Sequence, residues 1–110
     1  MKRLDLHNDL ESDLDRIWSW LALEQKAPEA ADHVRDAIEE SFHLLASHPN
    51  IGTFRWKNQP ELADVRMLVV PRYPNYLVFY RDRPDAVQII AVIHGKRDLP
   101  SRLLETGRFD

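Results

Sequence analysis

Two runs near the end of the chain, Tyr76–Arg81 (YLVFYR) and Ala86–His94 (AVQIIAVIH), are apolar on both of their faces. Side chains alternate along a strand, so in the longer run Val87, Ile89, Ala91 and Ile93 point one way and Ile90 and Val92 the other. In the shorter run Leu77 and Phe79 oppose Tyr76, Val78 and Tyr80. β-Branched and aromatic residues dominate both runs, which favours strands. Any fold this chain adopts must therefore cover two sides of the same strands.

The upstream sequence supplies a cover for one side. Arg3–His7 (RLDLH) alternates weakly and suits a short first strand. Asn8 or Asp9 can then cap a helix whose apolar stripe is Leu10, Leu14, Ile17, Trp18 and Leu21. Pro28 fits the first turn of a second helix with a stripe of Ala31, Val34, Ile38, Phe42 and Leu45, ended by His48-Pro49-Asn50. These two form an antiparallel helical hairpin. Residues 51–63 read as irregular, and Val65–Val70 as a strand bounded by Pro71 and the turn-like Arg72–Asn75. Arg83-Pro84-Asp85 separates the last two strands, and such short polar turns imply antiparallel neighbours. The expected fold is α+β in the order β-α-α-β-β-β, one domain over residues 1–110, with the N-terminal hairpin on one face of a mainly antiparallel sheet. The other face is left to the tail, where Asp98 can cap a helical turn or two from Leu99 to Leu104. Whatever the tail leaves bare marks a partner surface.

Composition narrows the function classes. The 110 residues are 44% hydrophobic and 30% charged, as in ordinary globular proteins. Without cysteine, disulfides and thiolate chemistry are excluded. No run is apolar enough for a signal peptide or a membrane span, so a cytoplasmic protein without membrane contact is expected. The net charge of −3 conceals an acidic first half (11 acids, 5 bases in residues 1–50) and a basic second half (7 acids, 10 bases), so an acidic partner should prefer the second. His7, His33, His43 and His48 have no paired metal-ligand spacing, and neither a metal nor another cofactor is expected.

Several stretches resemble a known family. The element order, Tyr73-Pro74-Asn75-Tyr76-Leu77-Val78-Phe79-Tyr80-Arg81, the ending Val92-Ile93-His94-Gly95-Lys96-Arg97-Asp98-Leu99, the segment Asp13-Leu14-Asp15-Arg16-Ile17 and His48-Pro49-Asn50-Ile51-Gly52 are similar to the ParE/RelE toxin superfamily of type II toxin–antitoxin modules. That resemblance implies a cognate antitoxin, ParD-like or another small type, and one of two activities. RelE-like members cut mRNA in the ribosomal A site, which needs cations around a crowded phosphate and a group that moves a proton. Here only Arg66 and Arg97 match the basic positions, Met67–Val70 adds no cation, and the single aromatic of the tail is Phe109. His94, with Lys96, Arg97 and Arg66, is the set that nuclease chemistry would have to use. ParE-like members poison DNA gyrase by binding, which an acidic pI does not obstruct. The ParE-like branch is preferred, with no catalytic residue. A non-toxic remnant that only binds its antitoxin is a third reading.

The contact residues expected on this basis are Arg66, Tyr76, Tyr80, Arg81, Lys96, Arg97 and Trp20. Trp20 leaves the stripe of the first helix, since two residues on is about 200° round, and an exposed Trp makes a good anchor. Tyr76 and Tyr80 share a strand face. Arg66, Arg81 and Arg97 suit an acidic amphipathic segment. Trp56, between Arg55 and Lys57, is expected to close over the edge of the core rather than to stack on a base.

Overall fold

The computed structural model describes residues 1–95 and 97–109. Its elements are β1 (Arg3–Leu6), α1 (Leu10–Ser19), α2 (Pro28–Ser47), β2 (Thr53–Phe54), β3 (Arg66–Val69), β4 (Tyr76–Asp82), β5 (Ala86–His94) and α3 (Leu99–Glu105). The order matches the expected one except for β2, two residues within the stretch read as irregular. The strands form one sheet in the order β1-β5-β4-β3-β2, with β1 parallel to β5 and every other pair antiparallel. Among the described residues no helix is long and apolar enough to cross a membrane.

The helical hairpin covers one face as its stripes require. Leu10 and Leu14 of α1 and Val34, Ile38, Phe42 and Leu45 of α2 are buried against Tyr76, Val78, Tyr80, Val87, Ile89 and Val92. The hairpin is tied by Trp18 Nε1 donating to Asp32 at 2.8 Å and by Arg35, which bonds Glu11, Asp15 and Glu39. Past Ser19 the helix continues as a π-helical segment over Trp20–Glu24, a rare widening that is frequent at functional sites.

The strict alternation expected along β5 does not hold. Pairing runs from Phe79–Ala91 directly to Tyr80–Ile89, so Ile90 is an extra residue, a β-bulge. Beyond it the faces exchange. Val87, Ile89 and Val92 face the hairpin, whereas Ala91 and Ile93 join Ile90 on the opposite side.

That opposite face is not left bare. Leu99 and Leu103 of α3, Phe109 of the tail, and Leu62 and Val65 before β3 pack on Leu77, Phe79, Ile90 and Ala91, and Phe109 is 1% exposed. Trp56 closes the edge as expected, stacked on Phe79 at 5.9 Å. The chain's own tail therefore fills the face that the two-sided strands left open. The caps also differ from expectation. Neither Asp9 nor Asp98 bonds its helix through the side chain, and Asp98 adopts φ 52°, a left-handed turn in which its carbonyl, not its carboxylate, accepts from Arg102 N–H.

Candidate binding groove at the open edge of the sheet

β1 pairs with β5 only as far as Leu6 opposite Ile89, and His7 N–H makes the last bond of that lane, to Ile89 O. Beyond it, no strand among the described residues lies beside the outer edge of β5. α1 and the π-helical turn rise on one side and α3 with the tail on the other, leaving a groove of about 660 Å³. Its walls are Asp13, Arg16, Ile17 and Trp20 on one side and Arg102, Glu105, Thr106 and Arg108 on the other. Tyr76 and residues 91–94 form the floor.

Two expected contact residues, Trp20 and Tyr76, meet here with His94. The bulge puts His94 on the hairpin face, where its ring lies 5.3 Å from that of Trp20 and 4.9 Å from that of Tyr76. Trp20 is 39% exposed, so it keeps a free face toward the groove. Tyr76 is buried, and burial pushes its phenol pKa up, so it acts as a neutral aromatic floor. Arg97 is exposed on the turn after β5, and its carbonyl accepts from Arg102. Lys96 lies outside the described residues.

The other expected contacts are elsewhere, and two are corrected by their burial. Tyr80 is fully buried; its hydroxyl donates to Pro49 O at 2.8 Å and accepts from Gly52 N–H at 2.9 Å. Arg81 is buried with its Nε on Asp64 at 2.9 Å and its Nη2 on the carbonyls of Glu61 and Phe109. Both are buried in holding loops to the sheet. Arg66 is half-buried, bonded to the carbonyls of Asn50 and Gly52 and set 4.1 Å from the Phe54 ring centre. It pairs with Tyr80 while His94 pairs with Tyr76, four residues along β4 on the opposite side. At 3.3–3.4 Å per residue that is about 13 Å along the sheet. The set His94, Arg97 and Arg66 is not one site.

The sequence reading missed the residues that build the groove. Asp13 is buried on α1, and its carboxylate accepts from both Nη atoms of Arg108 (2.7 and 2.9 Å), from Arg16 (2.8 Å) and from Val92 N–H (3.1 Å). Burial alone would raise its pKa, but the bonds from Arg108, Arg16 and Val92 outweigh it and hold the carboxyl below the ordinary value. Arg108 also donates to Ile90 O, and Arg102 to His94 O at 2.9 Å. A signal was present. Asp13 falls three residues after Leu10 and four before Ile17, inside the apolar stripe, where a carboxylate needs a buried partner.

Residues 4–99 match the family described as the ParE toxin of type II toxin–antitoxin systems, parDE. The chain belongs to the ParE toxin family. Over 94 residues it is 33% identical to Toxin RelE3 of Caulobacter vibrioides, covering 86% of this chain and 95% of that protein. It is also similar to a solved chain of the chromosomal ParDE toxin–antitoxin system from P. aeruginosa, with a TM-score of 0.68 at 25% identity over 87% of this chain and 98% of that one. This ParE-family chain is thus a type II toxin–antitoxin toxin by descent. The family match stops at Leu99, where α3 begins, so Arg102, Glu105 and Arg108, one wall of the groove, lie beyond it.

Proposed function

We propose that this ParE-family toxin acts by binding rather than by catalysis, arrests replication by poisoning DNA gyrase, and is held silent by a cognate antitoxin, ParD-like or another small type. The observation that carries this reading is the separation of the residues that RNA cleavage would need. Arg66 is tied to the carbonyls of Asn50 and Gly52 and lies away from His94, while His94 is held between two aromatic rings. A phosphate in flight needs several cations converging on it, and His94 and Arg66 do not converge. The groove has instead the character of a protein-binding surface, aromatic and edged with Arg.

The test is induction of the toxin alone in a bacterium, with DNA and protein synthesis followed separately by pulse labelling. DNA synthesis is expected to stop first. If protein synthesis stopped first, a RelE-like mRNA interferase on the ribosome would replace this reading. If neither stopped, the chain would be an antitoxin-binding remnant.

A further inference from the structure

The hydrogen-bond pattern of the groove is directional. Tyr76 O takes Val70 N–H and therefore faces β3, so Leu77 turns its polar groups to β5 and bonds with Ile93. Val92 and His94 consequently turn their own N–H and C=O groups outward, into the groove. Two of these four groups are bonded: Val92 N–H to Asp13, and His94 O to Arg102. No hydrogen bond among the described residues satisfies Val92 O or His94 N–H. Open strand edges of this kind invite another strand.

A carbonyl at one residue and an N–H two residues on are what one residue of a parallel strand engages, whereas an antiparallel partner takes both groups of a single residue. Both single-residue pairs are already half occupied, by Asp13 and by Arg102. β1 is itself parallel to β5 and occupies the same lane up to His7. The Asp13 carboxylate then takes Val92 N–H, as the carbonyl of a continuing strand would.

The geometry points to addition of a short extended peptide to the β5 edge, parallel to β5 and opposite Ile93, bonding Val92 O and His94 N–H. Its occupant is an acidic segment of the antitoxin, an identification that rests on the reading above. Arg16, with a side chain 70% exposed, and Arg102 flank the lane as cations, and Arg97 stands exposed at its end. Of the groove's acids, Asp13 is neutralised by Arg108, leaving Glu105. An acidic side chain beside an apolar one, the latter against the open face of Trp20, fits these walls.

The experiment uses the full chain and its cognate antitoxin, in complex and apart, with residue-resolved amide exchange by NMR. On complex formation the His94 amide should exchange at least about tenfold more slowly, and the Trp20 indole signal should shift. Two variants separate the main-chain bond from the side chain. Both lose the imidazole, but His94→Ala keeps the N–H and His94→Pro does not, so His94→Pro should bind at least about tenfold more weakly than His94→Ala. The outward N–H is not part of the ladder with β4, so circular dichroism should show His94→Pro folded; if it does not fold, exchange in the unaltered chain decides. A complex that forms with His94 exchange unchanged would overturn strand addition and leave the toxin–antitoxin reading intact. Absence of any complex would overturn both.

Discussion

β4 has two ends, and they differ in what has been done with their polar groups. At the Tyr80–Arg81 end, each group that resembled a contact residue is engaged inside the molecule: the Tyr80 hydroxyl on Pro49 and Gly52, the Arg81 guanidinium on Asp64, Glu61 and Phe109. At the Tyr76 end, Trp20 and His94 keep exposed surface and backbone groups of β5 point outward. Both ends are aromatic and cationic in sequence. What separates them is the neighbouring chain: loops and the tail close over one end, whereas β1 stops short of the other. An arginine or tyrosine on a strand therefore says little about binding until its neighbours are known.

The strongest way to break this contrast is at the buried carboxylate between the two helical walls. Asp13→Ala leaves Arg108, 9% exposed, without its hydrogen-bonded anion and with only Asp9 at 4.0 Å. Removing one partner of a buried pair costs roughly 3–5 kcal/mol, and the urea midpoint should fall accordingly. The same pair predicts a pH dependence. Because the folded pKa of Asp13 lies below 3.8, its contribution is complete above that value and is lost as pH falls through the lower folded value. The acid limb of the stability curve should flatten in Asp13→Asn, and an unchanged limb would show that another carboxylate governs it.

A smaller effect is expected at the closed end. Arg81→Ala should lower stability by about 1.5–3 kcal/mol, the range for hydrogen bonds to charged groups, while calorimetry on the folded protein shows antitoxin affinity unchanged. Reduced affinity without reduced stability would return Arg81 to the contact surface. Tyr80→Phe leaves Gly52 N–H and Pro49 O unpaired, and about 1–2 kcal/mol should be lost. The backbone approaches the Tyr80 ring so closely there that a Cβ on Gly52 would stand 2.7 Å from its Cε1, so Gly52→Ala should destabilise the protein with or without the Tyr80 hydroxyl.

The smallest change in stability, about 0.5 kcal/mol or less as for ordinary surface positions, is expected for Trp20→Ala. Its effect should appear in binding, where an aromatic anchor is worth about 2 kcal/mol or more. A titration with unchanged affinity would remove Trp20 from the interface and reduce the contrast between the two ends to one of exposure alone.

Local pattern carried most of the architecture. The stripes Leu10–Leu14 and Val34–Ile38–Phe42–Leu45, the two-sided apolar strands and the Pro28 start were legible because each depends on residues a few positions apart. The bulge at Ile90 was not, since nothing in AVQIIAVIH marks which residue is extra; pairing with β4 decides it. Trp20 could be singled out as off its stripe, but its meeting with His94 joins residues 74 positions apart.

The sequence by itself determined that two strands needed cover on both faces, that a helical hairpin would supply one side, and that the second half of the chain would be basic. Only the tertiary structure decided which polar groups remain available. Arg108 reaches Asp13 across 95 positions, Phe109 seals the second face, and β1 ends before the sheet edge does. The physical reason is that periodicity reports burial along a single element, whereas hydrogen-bond satisfaction is settled between elements that the chain brings together only on folding.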